Sequence, residues 1–266
     1  TAENVRRGLS QRTAHWLLNE RKLLGEVRQF FAQHADYGNP GQVRPWAWRA
    51  DPHLGGCGMV MDSGAHFCDT LRYLFGDPRC VFASVRQLAR WPLDRNGTIV
   101  EDAREDTWIA TIEFESGLVG LWSWTKVAPG HSFTKVVYYG TEGCLLDNRD
   151  VFHGPFPDAK VILKDGSEIP MEQLQQEFLE HLGEAGRERL FPHGWTDGVV
   201  LECYDFVKAV SEGGAVEVDG VTGMKAKALA EAIYESAALG QAVLYQDVLS
   251  GHLENYQRPI NEHWGL

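Results

Sequence analysis

The clearest structural signal in the chain is the stretch 107–125, in which two β-rich runs flank a short turn. The runs read TWIATIEF (107–114) and LVGLWSWT (118–125), and Glu115-Ser116-Gly117 lies between them. β-branched and aromatic residues favour strands, and a short connection that contains glycine is typical of antiparallel neighbours. The stretch therefore predicts an antiparallel β-hairpin.

Further strands are predicted on both sides of this hairpin from β-rich runs that are bounded by turn residues. The predicted strands are 26–35 and 80–88 before the hairpin, and 134–139, 143–147 and 160–164 after it. The turn Gly140–Gly143 separates the strands at 134–139 and 143–147. Residues 36–58 hold eight Gly or Pro residues and predict a long loop.

Apolar residues at helical spacing predict helices before and after this group of strands. The predicted helices are one that starts after an N-cap at Ser10 and stops at Gly25, then 64–75, 171–182, 197–211 with Asp197 as N-cap, and 222–239 with Thr222 as N-cap. The polar tail 250–266 is expected to act as a docking arm. This order of elements predicts an α+β fold, an open and mainly antiparallel sheet with helices packed on one face.

Composition and charge exclude several classes of protein. The 266 residues are 44% hydrophobic and carry a formal net charge of -12, from 25 Lys and Arg against 37 Asp and Glu. An acidic surface repels phosphate backbones, so we expect neither nucleic acid nor an anionic membrane as a partner. Five widely spaced cysteines without a C-x-x-C pair are typical of a reduced, cytoplasmic protein.

Common cofactor and hydrolase motifs are missing from the sequence. No G-x-G-x-x-G follows a predicted strand, and there is no Walker A, H-E-x-x-H or G-x-S-x-G motif. The glycine-rich run 55–58 follows a loop, whereas a dinucleotide site needs a glycine turn between a strand and a helix. We therefore identify no cofactor-binding residues in this chain.

The densest cluster of reactive residue types lies at the start of the helix predicted at 64–75. Asp62 falls at the helix N-terminus, and His66 follows four residues later, so the two side chains can meet on one face. A carboxylate beside an imidazole fixes its tautomer and raises its basicity, as a general base requires. In the structural alternative, Asp62 only caps the helix and His66 bonds to the backbone. A metal site is a further alternative, but the sequence offers only these two ligands and no third.

Several residues near this cluster are candidate substrate contacts. Trp46 and Trp48 lie in the glycine-rich loop and could stack on the apolar face of a substrate, or they could serve packing. Arg49 could hold a substrate hydroxyl or carboxylate, or form a surface ion pair. His193, in a loop before the helix at 197–211, is a further candidate contact, with a solvated loop histidine as the alternative.

The segment that contains Asp62 and His66 resembles a family motif. It reads GGCGMVMDSGAHFCDTLRYLFG (55–76) and is similar to the GGG-x-x-x-D-x-G-x-H-x-x-D-x-x-x-x-x-x-G segment of the Gfo/Idh/MocA oxidoreductases, with Cys57 in place of the third glycine. Residues 4–7 and 24–27 also resemble the segment that follows the nucleotide domain of that family. Glu105-Asp106 to Gly117 and Tyr139–Gly143 resemble its E-D hairpin and its G-T-x-G turn.

The resemblance implies a two-domain enzyme that uses NAD or NADP. In that family an N-terminal Rossmann domain carries the cofactor and an E-K-P lysine. The C-terminal domain, with a glyceraldehyde-3-phosphate dehydrogenase-like fold, supplies substrate contacts and a sheet for oligomerisation. Nearly all of this chain maps onto the C-terminal domain, so we expect residues 1–266 to be one substrate-binding domain without the Rossmann half. We also expect the chain to be a fragment of a longer enzyme.

The family resemblance also implies roles for individual residues and partners. His66 would be the acid/base on a secondary alcohol of a sugar, inositol or related polyol, and Asp62 would orient the substrate or the imidazole. A homo-oligomer would form through the open face of the sheet. Two alternatives stay open: a Rossmann-less subunit or binding protein that pairs through that sheet, and a cofactor-free or metal-assisted sugar lyase or isomerase.

Overall fold

The computed structural model describes residues 1–149 and 151–266, which form an α+β fold around one large sheet. The strands are β1 Val27–Ala35, β2 Arg44–Pro45, β3 Pro78–Arg86, β4 Pro92–Arg95, β5 Thr98–Glu101, β6 Thr107–Phe114, β7 Val119–Thr125, β8 Phe133–Gly140, β9 Gly143–Asp147, β10 Lys160–Leu163, β11 Glu168–Pro170 and β12 Val243–Leu244. Nine of them lie in the order β11-β10-β9-β8-β1-β7-β6-β3-β12, and β2, β4 and β5 make a separate small sheet.

The large sheet is mainly antiparallel, as the sequence predicted. Strands β6 and β7 form the expected hairpin, with Trp108 opposite Trp124 and Ala110 opposite Trp122. Strand β1 lies between β7 and β8, and it runs parallel to β7 and antiparallel to β8. The first strand of the chain therefore sits in the middle of the sheet, next to strands that follow it by about a hundred residues.

The helices lie before, between and after the strands. They are α1 Leu9–His15, which continues as a π-helical segment Trp16–Glu20, then α2 Pro52–Gly55, α3 Gly64–Phe75, α4 Met171–Leu190, α5 Gly198–Glu212, α6 Gly220–Leu239, α7 Tyr245–Leu249 and α8 Arg258–Trp264. Short 3₁₀ turns occupy Val5–Arg7, Trp48–Ala50 and Pro192–Gly194. None of the helices in the described ranges is long and apolar enough to cross a membrane.

The helices cover one face of the large sheet, and the other face stays open. Along β6 the buried residues Trp108, Ala110 and Ile112 alternate with outward residues such as Ile109. The two-residue period of a strand separates the faces in this way. The core consequently lies between the sheet and the helical layer, and it contains the aromatic side chains of β1, β6, β7, β8 and α3.

Several predicted boundaries differ from the structure. Ser10 lies inside α1, which Gly8 precedes, and its hydroxyl accepts a hydrogen bond from Gln175 instead of capping the helix. Thr222 is not an N-cap either, because Asp219 caps α6 and accepts from the Thr222 amide at 2.8 Å. The helix predicted at 171–182 extends to Leu190 across a break at Gly183. The N-cap at Asp197 is confirmed.

We predict that Gly120→Ala in β7 destabilises the protein by roughly 1–3 kcal/mol, the usual cost of overfilling a packed core. A Cβ at this position would lie 1.7 Å from Cε1 of Phe30, which is fully buried. Urea unfolding measures the change. Gly214→Ala is the matched control, because its Cβ would meet nothing within 4 Å, and an unchanged midpoint for Gly120→Ala would contradict the packing described here.

Candidate functional site

The glycine-rich loop is shaped by close contacts that only glycine permits. A Cβ on Gly58 would lie 2.2 Å from Oε2 of Glu105, and a Cβ on Gly64 would lie 2.8 Å from the ring of Trp122. The buried Glu105 carboxylate accepts hydrogen bonds from the amide of Val60 at 3.0 Å and from the hydroxyl of Tyr234 at 2.9 Å. These contacts hold the start of α3 against the sheet.

His66, on the first turn of α3, is bound to a carboxylate from the N-terminal segment. Its Nδ1 lies 2.7 Å from Oε2 of Glu3, and the side chains are 30% and 9% exposed. Because a carboxylate only accepts, Nδ1 carries the proton of this bond and Nε2 is left with a lone pair. The hydrogen bond to Glu3 raises the pKa of His66 above its usual value, although burial opposes the rise.

Asp62 has a different partner from the one that the sequence predicted. Its Oδ1 accepts from Nε of Arg49 at 3.2 Å, whereas Glu3 holds the imidazole of His66. The prediction of a direct contact was wrong because Asp62 lies in the turn before α3 begins at Gly64, so the one-turn helical spacing does not apply. The negative charge of Asp62 still contributes to the raised pKa of His66.

The segment that carries Glu3 is fastened to α3 by a second pair of charges. The guanidinium of Arg6 donates to both oxygens of Asp69, with an Nε–Oδ2 distance of 2.6 Å, and it lies 5.0 Å from the centre of the Tyr73 ring. Burial raises the pKa of Asp69, and the hydrogen bond from Arg6 opposes this rise. A bidentate pair of this kind fixes orientation as well as distance.

A loop after β9 places a second histidine beside His66. The rings of His153 and His66 are stacked with their centroids 5.9 Å apart. The side-chain amide of Gln11 donates to the carbonyl oxygens of His153, Gly154 and Pro155 at 2.7–3.0 Å. The loop is therefore held in place from α1 and forms one wall next to the imidazole.

The predicted substrate contacts fall into separate places. Arg49 lies over the half-exposed ring of Trp48 at 4.5 Å and joins it to Asp62, so these three form one surface. The ring of Trp46 lies under Arg95 at 4.4 Å. His193 lies elsewhere, in a ring cluster that is described below.

Sequence reasoning missed the residues that reach the site from distant parts of the chain. Glu3 and His153 carry no motif, although the charged run at 3–7 is a signal that could have been followed. Glu202, on α5, was also missed, and its Oε2 is buried without a hydrogen-bond partner among the described residues. Burial raises the pKa of Glu202, and the charge of Glu3 adds to the rise, while Arg7 and His66 oppose it.

The described residues contain no cluster of side chains that could hold a metal ion. In the ranges 1–149 and 151–266, no three or more His, Cys, Asp or Glu side chains come together in a geometry that could hold a metal ion. The arrangement around His66 is instead that of an imidazole with a fixed tautomer, which can accept or return a proton at Nε2.

Known proteins share this fold and part of this sequence. A family model described as the GFO/IDH/MocA C-terminal domain matches residues 13–146. Levoglucosan dehydrogenase from Pseudarthrobacter phenanthrenivorans is 26% identical over 243 residues, which is 82% of this chain and 60% of that protein.

Two solved structures illustrate the similarity of the fold. Levoglucosan dehydrogenase in complex with NADH and L-sorbose has a TM-score of 0.68 at 24% identity, over 92% of this chain and 65% of that one. An oxidoreductase domain protein from Kribbella flavida has a TM-score of 0.69 at 17% identity, over 91% and 65%. The chain thus spans less than two thirds of the length of these relatives.

We predict that Glu3→Gln lowers the pKa of His66, because the carboxylate that favours the imidazolium is replaced by a neutral amide. Titration of the His66 ring signals by NMR measures the shift. Asp62→Asn is the matched control and should lower the pKa less, since Asp62 acts on the imidazole only through its charge. A larger shift in Asp62→Asn than in Glu3→Gln would contradict the assignment of Glu3 as the partner.

Proposed function

The chain belongs to the Gfo/Idh/MocA family, and from this we propose that residues 1–266 form the substrate-binding and oligomerisation domain of an NAD(P)-dependent oxidoreductase. We propose that its substrate is a secondary alcohol of a sugar, inositol or related polyol. The hydrogen bond between His66 and Glu3 carries the proposal. A levoglucosan dehydrogenase among the relatives, and a solved neighbour that holds NADH and L-sorbose, support this class of reaction.

In the proposed reaction His66 acts as the general base. Its Nε2 accepts the proton of the substrate hydroxyl, and the proton returns through the same atom in the reverse direction. Glu3 keeps the neutral ring in the tautomer with hydrogen on Nδ1 and stabilises the imidazolium that forms, as the carboxylate does in a catalytic triad. Because only the neutral imidazole can accept the proton, oxidation should speed up as the pH rises through the raised pKa of His66.

The surface formed by Arg49, Trp48 and Asp62 is the proposed binding face for the remaining hydroxyl groups. A guanidinium donates to hydroxyl oxygens, a carboxylate accepts from hydroxyl hydrogens, and an indole face packs on the C–H face of a sugar ring. The side chains of Arg49 and Asp62 are 49% and 40% exposed, so the pair can exchange its mutual bond for bonds to a ligand. Trp46 and His193 stay predicted contacts.

The glycine run of this chain does not fit a dinucleotide. The space beside Gly58 is filled by the Glu105 carboxylate, and that negative charge would repel a pyrophosphate. The run also precedes α3 without a strand before it, so it lacks the strand–turn–helix frame of a nucleotide site. We therefore propose that NAD or NADP is held mainly by a Rossmann domain outside residues 1–266.

The open face of the large sheet is the proposed surface for a homo-oligomer. Its outward side chains include exposed large apolar groups on several adjacent strands, namely Phe82, Ile109, Val119, Phe133 and Tyr139. Apolar patches of this kind mark association surfaces. A cytoplasmic location is proposed with it, and the five free cysteines suit a reducing compartment.

We predict that His66→Asn, in a full-length enzyme that includes the nucleotide domain, lowers kcat for polyol oxidation by about 10²-fold or more, the usual loss for a missing general base. Steady-state assays that follow NAD(P)H absorbance over a panel of sugars and inositols measure it. His131→Asn, in an exposed loop, is the control and should keep normal turnover. Near-normal kcat in His66→Asn would remove His66 from the chemistry.

We predict that Ile109→Lys reduces the oligomer to smaller species, because a charge on the open face must be desolvated when two sheets meet. Light scattering after gel filtration measures the mass. Ser116→Lys, in the exposed turn of the hairpin, adds the same charge outside that face and should leave the mass unchanged. An unaltered assembly in Ile109→Lys would show that the contact lies elsewhere.

A further inference from the structure

A cavity lies beside the N-terminal segment, and Arg7 of that segment is part of its wall. It has a volume of about 280 Å³ and is lined by the first turn of the chain, α1, the end of α4, α5 and the loop that follows α5. The basic side chains in its wall are Arg7, Arg12, Arg189 and Lys208. No motif of the sequence pointed to this cavity, because its residues come from widely separated parts of the chain.

Two of these cations hold the acidic residues of the wall. Arg7 pairs with Asp205 at 2.9 Å and with Glu217 at 3.1 Å, and Arg12 reaches the same oxygen of Glu217 at 2.7 Å. The amide of Glu217 also donates to Asp205 at 2.9 Å. The two carboxylates are therefore fixed at the side of the cavity and balance only Arg7 and Arg12.

The remaining cations have no such partner. Within the described residues, Arg189 and Lys208 form no salt bridge, and Glu212 is the one further carboxylate in the wall.

The side chain of Arg7 is only 3% exposed, yet its Nε is buried without a hydrogen-bond acceptor among the described residues. A buried donor that lacks an acceptor is costly unless a ligand or water completes it.

We propose that this cavity binds a small oxyanion, a phosphate monoester or a polycarboxylate. Guanidinium groups bind such anions through paired hydrogen bonds, and a lysine adds a point charge. The cavity presents four cations against three carboxylates in a chain whose net charge is -12, so an anion is drawn to this place and repelled from the rest of the surface.

An aromatic cluster at the rim provides a surface for the organic part of the ligand. Tyr204 lines the cavity, and its ring meets those of His193 and Trp195 edge-on at 5.8 and 5.7 Å. The volume suits a ligand smaller than a nucleotide, since drug-sized pockets begin at about 300 Å³.

Isothermal titration of the 1–266 protein with inorganic phosphate and, separately, with citrate tests the proposal. We expect saturable one-to-one binding of at least one anion in a chloride buffer of matched ionic strength. Arg189→Ala and Lys208→Ala should each weaken Kd roughly tenfold, the size of a lost charged hydrogen bond. Both side chains are exposed, so the fold should tolerate their removal.

Matched controls separate a built site from general charge attraction. Arg90→Ala and Lys164→Ala remove the same charges from exposed positions outside the cavity and should leave Kd unchanged. Saturation by phosphate alone indicates a phosphate monoester, and saturation by citrate alone indicates a polycarboxylate. The proposal is overturned if neither anion saturates, or if the controls weaken binding as much as the cavity variants. Neither result depends on dehydrogenase activity.

Discussion

The hydrogen bond between Glu3 and His66 joins the first residues of the chain to the helix that carries the imidazole, and other contacts of the site serve to keep it in place. Arg6 holds the same segment on Asp69, one turn further along α3. Gly64 lets the start of α3 approach Trp122 on the sheet. A bond of 2.7 Å between two partly buried groups needs both partners fixed, because ordering them costs conformational entropy.

Local signals predicted the parts of the fold that depend on neighbours in sequence. The hairpin of β6 and β7 and the bounds of α3 agree with the sequence because alternation, helical spacing and turn glycines act over a few residues. Ser10 and Thr222 show the limit of such signals. Both are good capping residue types, but α6 begins earlier because Asp219 caps it, and α1 begins directly after Gly8.

The candidate site was predictable only in part, for the same reason. Asp62 and His66 stand close in sequence, and the sequence pattern singled them out. The partner of the imidazole, Glu3, is 63 residues away from it, and no periodicity links the two. His153 is also far from His66 in the sequence, and no sequence pattern includes both residues. The sequence thus predicted that a carboxylate would accompany the imidazole. Which carboxylate it is depends on the path of the chain in three dimensions.

The central place of β1 has a consequence for how this protein is made. Phe30 of β1 lies opposite Gly120 of β7 and Tyr138 of β8, so the strand cannot complete its ladder until more than a hundred further residues have been synthesised. Non-local pairing of this kind slows folding, because loop closure is paid for before contacts are gained. Until then β1, which carries Phe30 and Phe31, has two unpaired edges, and such edges are prone to aggregate.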